Sequence, residues 1–270
     1  MGFIKEMKKH GFLLEYLIAR DFKIKYRRSV LGIAWSVLNP LFMMLIVSTV
    51  FKVVFRIDLE GYSYPVYVII GQTMFNFLSE ATNTSMQSIL ISASLIKKVY
   101  IPKYIFPLEK VSFSFVNFAV SMVAVIIVGL IERIGISWHI LLVPVLLIIF
   151  YLFCLGLGLI LSVLAVFFRD TLHIYGIILT AWMYLTPVFY TLDNIGIKEG
   201  VNASFWRMFI EKVFVLNPMC QYITVFRELV LFHNMPSTTS ILLCLGYAVA
   251  FMLIGIFVFY KKQDKFILHI

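Results

Sequence analysis

The chain has 270 residues and a mean hydropathy of +0.96; 61% of its residues are apolar and 14% are charged. Soluble domains average about half apolar and a quarter charged residues, and a soluble fold of this length has no interior large enough for so much apolar surface. The composition therefore excludes a soluble protein and predicts one embedded in a membrane. We attribute the net charge of +9 to the membrane topology and to contact with anionic lipid head groups, not to nucleic-acid binding.

Residues 1–28 precede the first long apolar run and are rich in Lys and Arg. Apolar side chains recur among them at near-helical intervals, as at Leu13, Leu17 and Ile18. This pattern predicts an amphipathic helix lying in the membrane interface. A solvated basic arm is the alternative.

Six stretches are apolar and long enough to cross the hydrocarbon core, which takes roughly 20 residues of helix. The predicted spans are 31–55, 64–89, 104–131, 140–168, 172–190 and 240–260. No repeat or domain boundary is evident. Residues 1–270 are therefore predicted to form a single all-α transmembrane domain with six helices.

The charges outside these spans are distributed unevenly. Residues 1–28 carry a net charge of +5, residues 93–103 of +3 and the tail from Lys261 of +2, whereas the segments predicted on the other side total −1. Positively charged loops are retained on the cytoplasmic side. Both termini are thus predicted to be cytoplasmic, in a multi-pass protein of the cytoplasmic (inner or plasma) membrane.

The second predicted span carries polar side chains within an arc of about 100°, at about 100° per residue. We call this set the polar stripe: Gln72, Asn76, Ser79, Glu80, Asn83 and Gln87. Amides facing lipid lack hydrogen-bond partners, so the stripe is predicted to face protein or water. It either lines a translocation path for a polar substrate or bonds to neighbouring helices, and the sequence leaves both open.

Aromatic residues concentrate at the predicted outer ends of the spans, among them Tyr67, Tyr184 and Tyr190. They fit an interfacial aromatic belt. The alternative is that some face inward and stack on sugar rings.

Small residues on two spans predict close helix packing, at Gly156, Gly158 and Ser162 on the fourth and at Gly246 and Ala250 on the sixth. The cysteines lie in or near apolar runs and are expected to be buried thiols without disulfides: Cys154, Cys220 and Cys244.

Motifs of enzymatic chemistry are not found. The sequence has no GxxxxGK[ST] phosphate loop, HExxH, GxSxG or acidic metal cluster, and its five histidines have no metal-ligand spacing. No catalytic residue, metal or cofactor is therefore predicted in this chain. If it moves a substrate uphill, the energy is expected from another polypeptide.

Four segments, in this order and spacing, resemble the ABC-2 type permeases, in particular the membrane subunits that export polysaccharides, lipopolysaccharide O-antigen or teichoic acid. They are RDFKIKYRRSVLGIAWSVLNPL at 20–41, SLIKKVYIPKYIFPL at 94–108, FFRDTLHIYGIILTAWMYLTPVFY at 167–190 and VLNPMCQYITVFREL at 215–229.

The resemblance implies that a short cytoplasmic coupling helix in 94–103, together with the N-terminal helix, docks on a separate ATPase subunit. The candidate coupling residues are Ser94, Leu95, Lys97, Lys98, Tyr100, Pro102, Lys103, Arg27 and Arg28. The alternative for Lys97, Lys98 and Lys103 is that they are orientation signals alone.

The resemblance also implies an outer re-entrant region between Thr186 and Phe232 that acts as an extracellular gate. Prolines break helices there. Arg169 and Asp170 could form an ion pair at the inner end of the fourth span; the resemblance places them at the cytoplasmic mouth and leaves structural and gating roles open. The candidate gating residues are Arg169, Asp170, Pro187, Asn217 and Pro218.

The functional prediction is a homodimeric permease with two copies of an ABC ATPase subunit, which binds ATP and Mg. Its substrate is predicted to be a lipid-linked glycan, and its candidate path combines the polar stripe with Tyr67, Tyr184 and Tyr190. The alternatives are an ABC-2 exporter of drugs or lipids, a membrane glycosyl- or acyltransferase, and a scaffold protein.

Overall fold

The computed structural model describes residues 11–27, 29–54, 59, 61–99, 101–190, 212 and 214–269, and these residues contain no β-strand. Their α-helices are α1 (Gly11–Tyr26), α2 (Trp35–Val53), α3 (Tyr64–Ile91), α4 (Ala93–Ile96), α5 (Ile105–Ile131), α6 (Val143–Phe167), α7 (Thr171–Tyr184), α8 (Pro218–Val230) and α9 (Thr238–Lys262). Short 3-10 helices precede α2 and α6 and follow α9, at Gly32–Ala34, Trp138–Leu142 and Gln263–Leu268. The all-α prediction is confirmed.

Four helical stretches in the described part of the chain are long and apolar enough to cross a membrane: Gly32–Val53, Ile105–Ile131, Trp138–Phe167 and Thr238–Leu268. They correspond to the first, third, fourth and sixth predicted spans, and the chain is a multi-pass membrane protein.

The other two predicted spans have different forms. Helix α3 has 28 residues but carries the polar stripe and is not among the four. Helix α7 has 14 residues and ends at Tyr184, short of the predicted end at residue 190. At 1.5 Å per residue it reaches about 21 Å, less than the hydrocarbon thickness of about 30 Å.

Helix α3 lies at the centre of the bundle and packs against α2, α5 and α6. It begins at Tyr64 with a proline in its first turn, where the missing N–H leaves no helical bond unmade. Most of its residues are buried. In its middle third, the side chains that are not buried lie on one face: Asn76, Ser79, Glu80, Asn83 and Thr84.

Helix α2 contains a proline in its interior, Pro40. Proline has no N–H to donate to the carbonyl four residues earlier, which here belongs to Ser36. The hydroxyl of Ser121 on α5 donates to that carbonyl at 2.9 Å. The carbonyl of Ser36 therefore has a donor in place of the missing N–H of Pro40. This hydrogen bond also links α2 to α5.

Glycines set the closest helix contact, between α6 and α9. A Cβ on Gly156 would lie 2.4 Å from the carbonyl carbon of Phe251, and one on Gly255 would lie 2.5 Å from the carbonyl oxygen of Gly156. The prediction of close packing at Gly246 and Ala250 was wrong: a Cβ on Gly246 would meet nothing within 4 Å, and Ala250 is exposed. The buried face of α9 instead contains Cys244, Ala248, Gly255 and Phe259.

Helix α1 packs along α5. Its predicted apolar face is the more protected one, with Leu17 buried, and the ring of Phe22 meets that of Phe113 edge-on at 4.8 Å. Further contacts extend from Lys110 to Asn117, about 10 Å along α5. The N-terminal helix is thus part of the bundle, and its place in the membrane interface stays a prediction.

Candidate functional site

A cavity of about 600 Å³ opens between α1, α2, α3 and α5; we call it the central cavity. The stripe residues Asn76, Ser79, Glu80 and Asn83 line one side of it. The other helices contribute one cation, further amides and an aromatic face: Lys25, Asn39, Asn117 and Trp35. The cavity is therefore rich in hydrogen-bonding groups although its helices are mostly apolar.

Five side chains form a hydrogen-bonded network on the wall of the central cavity. The ammonium group of Lys25 donates to Oε1 of Glu80 at 2.8 Å, and Nδ2 of Asn117 donates to Oε2 at 2.9 Å. The Oδ1 atom of Asn117 accepts from the hydroxyls of Tyr26 at 2.8 Å and Ser36 at 2.7 Å. The one carboxylate of α3 thus accepts hydrogen bonds from a cation and an amide, the kind of pairing typical of acidic side chains in membrane helices.

The remaining stripe residues lie elsewhere. Gln72 is buried, and its Oε1 has no hydrogen-bond partner among the described residues. Gln87 is exposed one turn beyond Asn83 and does not line the central cavity. The structure therefore brings four of the six predicted stripe residues together.

A second ion pair fixes the middle of α1. Asp21 accepts from Lys110 on α5 and from Arg20 at 2.9 Å. Partial burial raises the pKa of Asp21, but the hydrogen bonds from Lys110 and Arg20 outweigh this and hold the pKa below its ordinary value. Because the folded-state pKa is lowered, this contact stabilises the fold above the pKa of the unfolded chain and is lost as the pH falls through the folded-state value.

At the end of the bundle where α3 begins, which we call the Tyr64 end, a buried arginine makes the polar contacts. Arg227 on α8 is buried, at 3% exposure. Its guanidinium donates to the carbonyls of Tyr67 (2.9 Å), Pro187 (2.8 Å) and Val188 (2.9 Å), and its Cζ lies 3.3 Å from the ring centre of Tyr67. No carboxylate of the described residues pairs with it. Gly71 makes room, since a Cβ there would lie 2.6 Å from Nη2 of Arg227.

Asn217 joins the start of α8 to the end of α7. Its Oδ1 accepts from the backbone N–H of Met219, as a helix N-cap does, and from the indole N–H of Trp182 at 2.7 Å. Its Nδ2 donates to the carbonyl of Leu185 and the hydroxyl of Thr186, at 3.1 and 3.0 Å. Together with Pro218 in the first helical turn, this residue fixes where α8 begins.

The other predicted gating and aromatic residues differ in exposure. The carbonyl of Pro187 accepts a hydrogen bond from Arg227. Tyr67 is buried against the guanidinium and donates to the carbonyl of Tyr190 at 2.9 Å, while Tyr184 is exposed. Arg169 and Asp170 are exposed, and the predicted ion pair between them is absent from the described contacts.

Most predicted coupling residues lie at the opposite end, the Ile91 end. Ser94 and Leu95 belong to the single turn α4, and Lys97 and Lys98 are exposed. Arg27 is exposed but lies apart from them, directly after Tyr26, which bonds to Asn117 beside the central cavity. Lys103, which follows Pro102, donates to the carbonyl of Gln263 at 2.7 Å, so the segment is tied to the C-terminal 3-10 helix. Arg28 and Tyr100 lie outside the described residues.

Sequence reasoning did not single out Lys25, Asn117 or Arg227. Asn117 is the one amide residue of the third predicted span, and Arg227 is the one cation of the segment 215–229. Either could have been flagged, because polar residues at membrane depth are costly. Their partners, however, lie far away in sequence.

Comparison with known proteins gives consistent matches over the chain. The sequence profile described as "ABC-2 type transporter" matches residues 13–231. The O-antigen export system permease protein RfbA of Myxococcus xanthus is 27% identical over 263 residues, covering 97% of each chain. An O-antigen export system permease protein RfbA of Klebsiella pneumoniae is 27% identical over 271 residues, covering 97% of this chain and 98% of its own.

Proposed function

Because the chain belongs to the ABC-2 type transporter family, we propose that it is the permease subunit of an exporter that moves a lipid-linked polysaccharide across the cytoplasmic membrane. The observation that carries the proposal is the central cavity, where Asn76, Glu80, Asn83 and Asn117 present amides and a carboxylate beside Trp35. Such groups match a polyhydroxylated substrate. A cavity with this lining suits a glycan better than an apolar drug. The names of the relatives, O-antigen export permeases, support the same substrate class.

The proposed topology has six passes and cytoplasmic termini. The Ile91 end is cytoplasmic in this proposal, because the predicted positive loops gather there. Helix α3 is the second pass: its 28 residues extend about 42 Å, and its neighbours bury most of it.

Helix α7 belongs to the fifth pass of the proposal, and α8 belongs to its outer re-entrant region. The carbonyl of Leu216 accepts from Tyr247 at 3.1 Å, nine residues into α9 and thus about 13 Å along it. Phe232, just after α8, meets Tyr62 edge-on at 4.7 Å at the Tyr64 end. These contacts support a helix α8 that begins at membrane depth and rises to the outer surface, with irregular chain tolerated because protein surrounds it.

The proposed assembly is a homodimer with two ATPase subunits that bind ATP and Mg. The permease surface for those subunits is the Ile91 end, with α4, the lysines after it and α1. Motion delivered there reaches the central cavity through α1, whose contacts extend along α5.

The assembly is tested by expression with and without the ATPase encoded beside it. We expect the permease to co-purify with that subunit and the complex to hydrolyse ATP, whereas the isolated 270-residue chain hydrolyses none. Robust ATP hydrolysis by the isolated chain would contradict the proposal.

Replacing Asn83 by Leu is expected to lower glycan export at least about tenfold while leaving the yield of folded complex unchanged. Asn83 is partly exposed in the central cavity and makes no described hydrogen bond, so the change removes a substrate contact without breaking a structural one. Export is measured as surface polysaccharide in a strain that lacks the native permease.

The matched control for Asn83→Leu is Gln87→Leu, one turn along the same helix and outside the cavity. It is expected to export normally. Equal export by both variants and the wild type would favour a scaffold role for the stripe.

A further inference from the structure

The end of α1 is bonded to the atoms of the central cavity that are best suited to bind a sugar. Lys25 occupies Oε1 of Glu80, and Tyr26 occupies Oδ1 of Asn117. Both acceptors line the cavity. A carboxylate and an amide oxygen are acceptors for hydroxyl groups, so a ligand with several hydroxyls competes with Lys25 and Tyr26 for them.

The cavity has the size and surface for such a ligand. Its volume of about 600 Å³ falls within the range of small-molecule sites, about 300–1,000 Å³, and suits one or two sugar units. Trp35 is 46% exposed and lines the same space. It offers a flat apolar face to sugar C–H groups while Asn76 and Asn83 supply further donors and acceptors.

The two ion pairs of α1 differ in exposure. In the Lys25–Glu80 pair the side chains are 36% and 30% exposed, whereas in the Lys110–Asp21 pair they are 16% and 14% exposed. Ion pairs that are open to water contribute little to stability, so breaking one costs little free energy. The Lys25–Glu80 pair is therefore the contact that a ligand can replace, and the Asp21–Lys110 pair holds the helix while it does.

We propose that the central cavity is a glycan-sensing site in which sugar hydroxyls displace Lys25 from Glu80 and release the end of α1, while Asp21 and Lys110 remain paired. This inference rests on the proposed glycan substrate. It adds that α1, which is part of the proposed ATPase surface, changes its contacts when a ligand occupies the cavity. An empty cavity keeps Lys25 on Glu80 and restrains ATP hydrolysis.

The test uses the permease with its ATPase subunit in lipid nanodiscs and measures ATP hydrolysis with and without the lipid-linked glycan fraction from membranes of the source organism. The wild type is expected to be stimulated by this fraction and not by the same fraction after its glycan is removed. Lys25→Met is expected to raise basal hydrolysis about two- to fivefold, the factor by which partly exposed ion pairs shift an equilibrium, and to abolish further stimulation. The charge swap Lys25→Glu with Glu80→Lys is expected to restore low basal hydrolysis.

The control is Lys52→Met, which removes an exposed cation from the last turn of α2, outside the central cavity and the ATPase surface, and is expected to behave as the wild type. If Lys25→Met matches Lys52→Met in both basal and stimulated hydrolysis, the sensing role is overturned. Failure of the proposed function is distinct: the wild-type complex then exports no glycan and is not stimulated by it.

A reversible cross-link provides the second measurement. Lys25→Cys with Glu80→Cys, joined by a short bis-methanethiosulfonate reagent, is expected to hold ATP hydrolysis at the low basal level of the wild type with or without glycan. On reduction, hydrolysis is expected to rise to the level of Lys25→Met. The native cysteines are buried and leave the two introduced thiols as the reactive pair. Full stimulation in the cross-linked complex would overturn the proposal.

Discussion

Replacing Arg227 by Leu is expected to destabilise the folded permease by about 3 kcal/mol and to abolish export. The change leaves the carbonyls of Tyr67, Pro187 and Val188 without this donor, and an unsatisfied buried polar group costs about 1–3 kcal/mol. Removal of the buried charge recovers part of its desolvation cost, so the total is less than three full penalties. The measurement is the free energy of unfolding in mixed micelles, alongside surface polysaccharide in cells.

Two further variants define the origin of that effect. Arg227→Lys keeps the charge but lacks the planar fork that contacts three carbonyls and stacks on Tyr67, so an intermediate loss is expected. Lys265→Leu removes an exposed cation at the Ile91 end and should leave stability unchanged. Wild-type stability of Arg227→Leu would show that the guanidinium does not hold α8 to α3.

A single methyl group at Gly156 is expected to cost about 3 kcal/mol, the upper end for overpacked cores. The added Cβ would lie 2.4 Å from the backbone carbonyl carbon of Phe251. A backbone cannot relieve this clash by a rotamer change, as a side chain can. Helices α6 and α9 must separate, which also loosens the pairing at Gly255. Thermal unfolding of purified Gly156→Ala, followed by size-exclusion chromatography, measures this.

Gly246→Ala is the matched control, because it lies on α9 with open space around its Cβ position. Alanine favours helix over glycine by up to about 1 kcal/mol, so this variant is expected to equal or exceed the wild type. A melting temperature of Gly156→Ala within error of that of Gly246→Ala would mean that the α6–α9 contact is looser than described.

The sequence predicted the stripe on α3 because a helical period places Asn76, Glu80 and Asn83 on one face whatever surrounds them. It could not predict which members meet a cavity. That depends on where α1, α2 and α5 end, so Gln72 is buried and Gln87 lies outside. The four most apolar spans could likewise be predicted from the sequence, because mean hydropathy over about 20 residues depends only on the local sequence.

The Tyr64 end was less predictable because its contacts join distant residues. Tyr67 is an aromatic residue near a helix end, which the pattern assigns to the interface or to sugar stacking. The structure places it under Arg227, 160 positions away. Likewise, Gly246 and Ala250 have the right spacing for close packing, but the buried face of α9 passes through Gly255. Spacing defines a face, and only the neighbouring helix decides which face is buried.

The burial of α3 also affects how the chain is made. A helix with a stripe of amides and a carboxylate enters lipid poorly by itself, and α3 is synthesised before the helices that bury it. Asn117, the partner of Glu80, and Gly158, against which Ser85 packs, lie 37 and 73 residues after those partners in the chain. Helix α3 is therefore expected to stay at the insertion machinery until α5 and α6 have emerged. Its insertion is then expected to depend on the two strongly apolar helices that are translated after it.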